Sequence, residues 1–460
     1  MRDTVCRSLI LLLLASIAAC GEAPPPEAQE LKRDARSQSS SRPTAAAEEP
    51  KPARSDPDQD DSTDSGRQAR SLLDVLGLGG GHPIPDGLIP GGDCPPAPYG
   101  ADEEIAAQTE ARVPLKVGLT LTNLWIPNPE EEYECLNQVT SVDRQGLVFT
   151  VGCTDPRNRR VMTRRTCRTD LRSARMLHTQ VGAIEVIDES GEALPETVVG
   201  ATEWSLSAAE FAELKRTGET RHHYVQIGSM NGLSWEATAV LRREAAETAA
   251  VAVNDRMVDL PVIRASGEAS LWIFGETVKG RVTALILDDE RFPLLVDYTH
   301  SIESSERPHF KLSFVKITFP STRGRDGDGA DLGELGGVGE MERRLAEEKR
   351  VDVYGIYFDF NSDRIRKESE PILQEIADVL GRNADWTLSI DGHTDNVGGD
   401  AYNLDLSRRR SESVRRALGE RYGIEATRLT TAGHGAFAPK DTNDTPEGRS
   451  RNRRVELVRR

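Results

Sequence analysis

Hydrophobic and polar residues follow different periods in two parts of the chain. Between residues 109 and 320, several short segments alternate apolar and polar residues or are rich in β-branched ones, which is typical of strands. The clearest are Leu115–Ile126, Gly146–Cys153, Ser270–Leu287 and His309–Phe319. Ser205–Arg216 interrupts them as a predicted helix, with Ser207 and Glu210 at capping-box spacing. We therefore expect an antiparallel, β-rich domain of unknown function at 109–320.

From residue 351 to 460, predicted strands alternate with helices. The predicted strands are Tyr354–Phe360, Trp386–Gly392, Arg428–Gly435 and Arg453–Arg459. One helix begins near Ser369, with Pro371 in its first turn, and a second is predicted to begin at Ser407. This βαβαββ order predicts an α/β sandwich, with helices on one face of a mixed sheet.

Two polar stretches separate these domains, so the fold class is multidomain. Residues 20–108 are rich in Pro, Ser and charge and predict a disordered tether, because they cannot bury enough apolar surface to offset ordering. Residues 321–350 form a Gly-rich, charged linker, with a short helix predicted in Met341–Arg350. Ser71–Gly92 is apolar but broken by Gly and Pro, and fits either a sticky loop or a docking segment.

The N-terminus has the pattern of a secretory signal at residues 1–19. Arg2 and Arg7 precede an apolar run, and small residues precede Cys20. Ile17–Cys20 resembles a bacterial lipobox, which implies acylation of Cys20 and a lipid anchor in the inner leaflet of the outer membrane. An ordinary signal cut near Ala19 is the alternative. The chain has no apolar run of 18 residues or more, so we expect no membrane-spanning helix.

Composition narrows the function classes. The 460 residues carry a formal net charge of −17, with 37% hydrophobic and 29% charged residues. An acidic chain argues against general nucleic-acid binding, because phosphate contacts need a basic face.

Four cysteines remain besides Cys6 and Cys20, an even number that predicts disulfides in an oxidising compartment. These are Cys94, Cys135, Cys153 and Cys167. Cys135 and Cys153 flank a predicted turn and fit a hairpin bridge, whereas Cys153 and Cys167 would close a short basic loop. The spacing does not choose between the pairings. A zinc site is not favoured, since CxxC spacing and nearby histidines are lacking.

Three further features resemble parts of enzyme active sites, but each is interpreted as structural. Asp288–Glu290 is interpreted as a hairpin turn, Arg221–Tyr224 as a strand whose two histidines point to opposite sides, and Arg157–Arg165 as a solvated basic loop. The chain carries no GxSxG, phosphate loop or HExxH motif. We expect no catalytic residue, metal or cofactor.

The segment Gly392–Val414 contains one acidic and one basic residue that are candidates for a binding site. Asp395 lies in a polar Gly-rich loop, and Arg410 lies in a predicted helix. The two residues form either a structural ion pair or an open socket for a ligand that carries both charges.

Five ordered sequence blocks resemble a known family. They are Tyr357–Ile365, Ile390–Gly398, Tyr402–Val414, Leu429–Pro439 and Gly448–Leu457. They resemble the OmpA-like C-terminal domain, the peptidoglycan-binding module of outer-membrane porins, peptidoglycan-associated lipoproteins and flagellar stator subunits. The resemblance covers residues 351–460, about a quarter of the chain.

The resemblance implies a ligand and a set of site residues. The ligand is the diaminopimelate of the peptidoglycan stem peptide, whose ammonium falls to Asp395 and whose carboxylate falls to Arg410. A guanidinium binds a carboxylate through two parallel bonds, which suits this assignment. Arg453 is expected to contact the ligand or brace the sheet, and His393 to be a loop residue rather than a metal ligand. The residues expected to shape the groove are Phe358, Thr394, Asn396, Asn403 and Leu404.

We therefore expect an outer-membrane lipoprotein that faces the periplasm and binds peptidoglycan noncovalently, with its lipid at Cys20. In one alternative, the β-rich domain binds an envelope protein or polysaccharide, and the OmpA-like domain only localises it. An envelope hydrolase is a second, less favoured alternative.

Overall fold

The computed structural model describes ten ranges of the chain. These are residues 85–128, 131–154, 161–180, 186–187, 193–227, 233–273, 276–303, 308–319, 338–359 and 361–460. The signal segment, Cys20, most of the predicted tether and residues 320–337 lie outside them. None of the helices in the described ranges combines the length and the apolar character needed to cross a bilayer.

The middle domain consists mainly of strands. The strands are β1 (Ile89–Pro90), β2 (Thr120–Asn128), β3 (Glu131–Val142), β4 (Gly146–Cys153), β5 (Met162–Cys167), β6 (Met176–Gln180), β7 (Val186–Ile187), β8 (Ala193–Leu194), β9 (Glu196–Val199), β10 (Ala201–Thr202), β11 (Glu219–Ile227), β12 (Leu233–Val253), β13 (Arg256–Ile273), β14 (Glu276–Leu287), β15 (Leu295–Ile302) and β16 (Phe310–Thr318). The helices are α1 (Ala101–Thr109), α2 (Arg168–Ser173) and α3 (Ala208–Thr217).

Fourteen of these strands form one sheet, in the order β1-β9-β5-β4-β3-β2-β16-β15-β14-β13-β12-β11-β6-β10. β11 to β16 pair antiparallel with their neighbours in sequence, and β12 also pairs in parallel with β16 at Ala252 and Val253. The large β-rich domain that the alternation predicted is therefore confirmed.

Helix α3 begins as the sequence predicted. Ser207 is its N-cap, and the Ser207 side chain accepts a hydrogen bond from the backbone N–H of Glu210. Gly218 ends the helix with φ of 84°, a left-handed conformation that glycine adopts without strain. Phe211 and Leu214 anchor the helix in the core of the middle domain.

One of the two disulfides in the described ranges follows from the sheet register. β3 and β4 form the predicted hairpin, with Cys135 opposite Cys153, and these two residues are bonded. The second bridge joins Cys94 to Cys167. The hairpin alternative is therefore confirmed, and the alternative of a small loop between Cys153 and Cys167 is wrong.

The end of the predicted tether differs from the expectation of disorder. Residues 85–108 contain β1, which pairs antiparallel with β9, and the helix α1. Gln108 is buried and accepts a hydrogen bond from Arg168 at 2.5 Å. These contacts and the Cys94–Cys167 bridge hold a segment whose composition alone favours disorder.

The C-terminal domain is the predicted α/β unit. Its elements are α4 (Val338–Glu347), β17 (Arg350–Val353), α5 (Glu370–Arg382), β18 (Leu388–His393), α6 (Asp400–Tyr422), β19 (Leu429–Gly435), α7 (Pro446–Asn452) and β20 (Val455–Arg459). The sheet order is β17-β20-β18-β19, with β18 and β19 parallel and the other pairs antiparallel. Met341 and Leu345 of α4 are buried in its core, so this core includes residues upstream of Val351.

The strand predicted at Tyr354–Phe360 does not form, and β17 lies just before it. The backbone N–H groups of Tyr354 and Gly355 donate to the carboxylate of Asp255, and that of Tyr357 donates to Ser369 Oγ at 2.8 Å. Because side chains take these donors, they are not available to a neighbouring strand. Among residues 354–359, which the structure describes, only an isolated bridge from Phe358 to Ile365 is found.

The helix start predicted at Ser407 is also wrong. α6 begins at Asp400 with Gly399 as its N-cap, so Arg410 lies in the interior of the helix. Ser407 Oγ accepts from Gly435 N at 2.9 Å and donates to Leu404 O at 2.9 Å. Ser407 therefore ties α6 to β19, and the positive end of the helix dipole lies at its first turn, near Asp400.

Candidate functional site

Asp395 lies in the loop between β18 and α6 and is 8% exposed. Its Oδ1 accepts from the backbone N–H of Val397 at 3.0 Å, a local turn typical of aspartate. Its Oδ2 accepts from Arg453 Nη1 at 2.5 Å. The carboxylate is therefore fixed in place by one backbone donor and one guanidinium.

Asn403 holds the rest of this loop. Its side chain is 2% exposed and donates to Asp395 O at 3.3 Å and to Val397 O at 3.1 Å. Gly398 has φ of 94°, a turn that favours glycine, and lies against Asn403. The first turn of α6 thus fixes the backbone that carries Asp395.

Arg410 is held on two sides, by an aromatic ring and by a backbone carbonyl. Its guanidinium carbon lies 4.8 Å from the ring centroid of Phe358, and its Nε donates to Ser362 O at 3.0 Å. Within the described part of the chain, the structure records no ion pair between Arg410 and any carboxylate. Arg410 and Asp395 are therefore not the simple salt bridge that the sequence left as one alternative.

The pKa of Arg410 depends on its burial and on the charges around it. Burial, with the nearby charge of Arg453, lowers the pKa of Arg410 to about 10, against the raising effects of Tyr402, Glu134 and Asp395. Arg410 therefore remains a cation at neutral pH, and an anion bound beside it would stabilise its charged form.

Two glycines bring α6 close to the sheet. A Cβ at Gly433 of β19 would lie 2.6 Å from the backbone nitrogen of Arg408, and a Cβ at Gly392 of β18 would lie 2.4 Å from Ser407 O. A larger residue at either position would push the helix away. Glycine at both positions therefore sets the distance between Asp395, after β18, and Arg410, on α6.

Arg453 connects the site to the middle domain. Besides Asp395, it donates to Glu134 of β3, through Nη2 at 2.7 Å and Nε at 2.9 Å. Glu134 also accepts from Lys316 Nζ at 3.0 Å. Burial lowers the pKa of Arg453, but the two carboxylates outweigh burial and raise this pKa above its ordinary value.

The same region matches a known family. Residues 357–453 match the model of the OmpA family. These residues form an OmpA family domain. The family match does not extend into the middle domain.

Individual relatives match a similar length. The chain is 39% identical over 112 residues to outer membrane porin F of Pseudomonas aeruginosa, which covers 24% of this chain and 32% of that protein. It is 41% identical over 87 residues to peptidoglycan-binding protein ArfA of Mycobacterium bovis, which covers 19% and 26%. A solved structure, the peptidoglycan-associated lipoprotein of Burkholderia pseudomallei, is 31% identical with a TM-score of 0.22, over 23% of this chain and 88% of that one. The chain spans about a third or less of the length of these two curated relatives.

The remaining predicted site residues of the OmpA family domain differ in exposure. Thr394 is 4% exposed, and its hydroxyl has no hydrogen-bond partner among the described residues. Asn396 is exposed, and Leu404 is 44% exposed. The pattern did not single out three exposed apolar residues beside them, which are Val397, Tyr402 and Phe437.

His393 lies in the sheet rather than in the loop. It is 4% exposed, its ring stacks on His434 with centroids 4.8 Å apart, and its Nε2 lies 3.5 Å from Glu456. Burial lowers its pKa. Across the described ranges, no group of three or more His, Cys, Asp or Glu residues is arranged to hold a metal ion.

The middle-domain acids and histidines that suggested chemistry have structural partners. His222 forms hydrogen bonds with Glu210 and Tyr298, each at 2.8 Å. Its neighbour His223 forms a hydrogen bond with Glu236 at 2.7 Å. The two histidines therefore act separately, as predicted.

The paired acids at Asp288–Glu290 lie in the connection between β14 and β15. Asp289 Oδ2 accepts from Arg112 N at 2.7 Å and Asp288 pairs with Lys215 at 3.0 Å, so this segment is a braced turn.

The basic run departs from the predicted loop in its described part. Residues 162–165 belong to β5, and Arg164 is 5% exposed and pairs with Glu203 at 3.4 Å. The sequence pattern predicted a basic run exposed to solvent, whereas buried carboxylates pair with Arg164 in the structure.

Proposed function

We propose that the chain is an outer-membrane lipoprotein that binds peptidoglycan noncovalently through its OmpA family domain and so anchors the outer membrane to the cell wall. One of the similar proteins supports peptidoglycan binding by name, as a peptidoglycan-binding protein. In this proposal the function is binding, without a chemical reaction.

One observation carries the proposal: Asp395 and Arg410 are both held in place, yet they are not paired with each other. Arg410 is fixed through Nε, so its two terminal nitrogens, which lack a hydrogen-bond partner in the described ranges, are available for a carboxylate. Each Asp395 oxygen accepts one bond, which leaves lone pairs for an ammonium.

The ligand that fits carries both charges on one carbon. The free end of diaminopimelate in a stem peptide has an ammonium, which Asp395 would accept, and a carboxylate, which Arg410 would bind in a bidentate manner. A ligand that lacks the carboxylate leaves the Arg410 cation without an anion, so the socket discriminates by charge.

The neighbouring residues support this socket. Asn403 fixes the Asp395 loop, and Phe358 supports the Arg410 guanidinium. Thr394 and Asn396 flank Asp395, and Leu404 offers apolar surface at the start of α6. Arg453 orients Asp395.

Binding to sacculi tests this assignment. The chain from Gly21 onward is sedimented with insoluble peptidoglycan, as wild type and as Asp395→Asn and Arg410→Gln. The matched controls are Asp405→Asn and Arg408→Gln, which change exposed charges on the same helix. We expect the controls to bind like wild type and both site variants to lose at least about tenfold in affinity, about 1.4 kcal/mol. Folded site variants that still sediment like wild type would contradict the proposal.

The lipid anchor requires its own test, since Cys20 lies outside the described residues. We expect cells fed labelled palmitate to label the full chain and not Cys20→Ala. Membrane fractionation should then place Cys20→Ala in the periplasm, still able to bind sacculi. Equal labelling of the wild-type chain and of Cys20→Ala would mean that Cys20 is not the acylated residue, and the lipid anchor would be wrong.

A further inference from the structure

The middle domain places acidic residues against the candidate site. Glu132 and Glu134 lie two positions apart on β3, so their side chains leave the same face of the strand. Glu132 pairs with Arg449, and Glu134 pairs with Arg453 at 2.7 Å. We call Glu132 and Glu134 the acidic face of β3.

This contact is part of a wider docked surface. Thr122 Oγ1 of β2 donates to Tyr357 Oη at 3.4 Å. Lys311 of β16 pairs with Glu447 at 2.6 Å. Asp255, between β12 and β13, accepts from Gly355 N at 3.1 Å. The acidic face of β3 is thus held against the OmpA family domain at several points.

Glu134 is a permanent anion at this position. Burial favours its neutral form, but the charges of Lys316 and Arg453 lower the pKa of Glu134 to about 2. Its carboxylate accepts from the guanidinium that also binds Asp395. A carboxylate of the chain itself therefore holds the arginine that binds Asp395.

We propose that Glu134 is an intramolecular competitor of the stem peptide. Its carboxylate occupies Arg453, the second cation beside Asp395, and withholds it from a ligand carboxylate. The docked chain therefore binds peptidoglycan weakly, and release of the acidic face of β3 gives full affinity. This inference rests on the proposed function, because it concerns the regulation of the same site. Apparent affinity falls in proportion to the fraction of chains that are competent to bind.

Removal of the Glu134 charge tests the competition directly. Glu134→Gln keeps the shape of the side chain, and Glu268→Gln on β13 is the matched control at an exposed strand position. The chain from Gly21 onward is titrated with meso-diaminopimelate by calorimetry and sedimented with sacculi. We expect Glu134→Gln to bind about 5- to 150-fold more tightly than wild type, the usual range of coupling between sites. The control should match wild type.

A charge swap gives a second, independent test. Glu132→Arg and Arg449→Glu each place like charges together and should release the acidic face of β3, which raises affinity. The double variant restores an ion pair and should return the affinity to that of wild type. Near-ultraviolet circular dichroism confirms that each variant is folded.

The outcomes separate this inference from the proposed function. If wild type sediments with sacculi, and Glu134→Gln binds equally or more weakly, the competition is overturned and wall binding stands. If neither the wild type nor any released variant binds, the wall-binding function fails, and the competition fails with it.

Discussion

Arg453 binds Asp395 through a 2.5 Å contact between Nη1 and Oδ2, and this contact positions the acid of the candidate site. The same guanidinium bonds Glu134, so one side chain satisfies a carboxylate from each domain. The geometry of Asp395 therefore depends on a residue that lies 58 positions later in the chain.

Arg453→Gln should destabilise the whole chain. The substitution leaves the largely buried carboxylates of Asp395 and Glu134 without their shared cation, and hydrogen bonds to charged groups contribute about 1.5–3 kcal/mol. Urea unfolding measures the loss, with exposed Arg408→Gln as a control that stays within about 0.5 kcal/mol of wild type. The pair Arg453→Gln and Glu134→Gln should lose less than the sum of the single losses, because the two residues share one contact. Additive losses would mean that the ion pair has no net effect.

Phe358→Leu should weaken peptidoglycan binding without unfolding the domain. The Phe358 ring supports the Arg410 guanidinium at 4.8 Å, and such a contact contributes about 0.5–2 kcal/mol. Sacculus binding should therefore weaken by about 2- to 30-fold. Phe358→Tyr keeps an aromatic face and should retain wild-type affinity. Equal loss in both variants would point to a packing defect rather than to the ring–guanidinium contact.

Gly433→Ala should disturb the helix that carries Arg410. The new Cβ would lie 2.6 Å from the nitrogen and 2.8 Å from the Cα of Arg408, so the helix backbone must move. Overpacking of this kind costs about 1–3 kcal/mol, and sacculus binding should fall as well. Gly381→Ala on α5 is the control, because its Cβ meets no atom within 4 Å and alanine favours the helix by up to about 1 kcal/mol. Thermal unfolding distinguishes the two variants by the sign of the change.

Asp170 should make the middle domain less stable as the pH rises. Burial raises the pKa of Asp170 from 3.8 to about 6, although Gly200 N donates to its carboxylate at 3.1 Å. Below about pH 4 the group is protonated in both the folded and the unfolded state. Between about pH 4 and 6 the unfolded chain loses the proton first, so the free energy of unfolding falls by about 2–3 kcal/mol.

Asp170→Asn removes this titration. The difference in unfolding free energy between wild type and Asp170→Asn, measured at pH 4 and pH 7, should change in favour of the variant at the higher pH. Asp259→Asn, at an exposed position of β13, is the matched control. A difference that is constant with pH would mean that Asp170 ionises alike in the folded and unfolded chain.

Local patterns predicted those features that depend on neighbouring residues. Ser207 and Glu210 predicted the start of α3. The turn between Cys135 and Cys153 made their hairpin bridge one of two open alternatives, and the register of β3 and β4 decides for it. The prediction that Ser407 starts a helix failed because the capping preference of serine is local, whereas this hydroxyl bonds β19. The strand expected at Tyr354–Phe360 failed for a similar reason, since Asp255 of the other domain takes its backbone donors.

The site was predictable only in part. Asp395 and Arg410 were named from their motif blocks, but the geometry around them was not. Glu134 contacts Arg453 across 319 positions of sequence, and no periodicity or spacing reports a contact between two folded domains. Residue types indicate the chemistry of a socket, whereas tertiary packing decides which side chains of the chain lie beside it.

The Cys94–Cys167 bridge has a mechanical consequence. β1, at the N-terminal end of the described chain, pairs with β9 over only two residues, and hydrogen bonds of so short a strand would peel apart one by one under tension. A pull that arrives from upstream passes Cys94, where a covalent bond transfers it to the end of β5 and the start of α2. The load therefore enters the fourteen-stranded sheet at an interior strand, between β4 and β9, and the short pairing of β1 with β9 does not have to carry it.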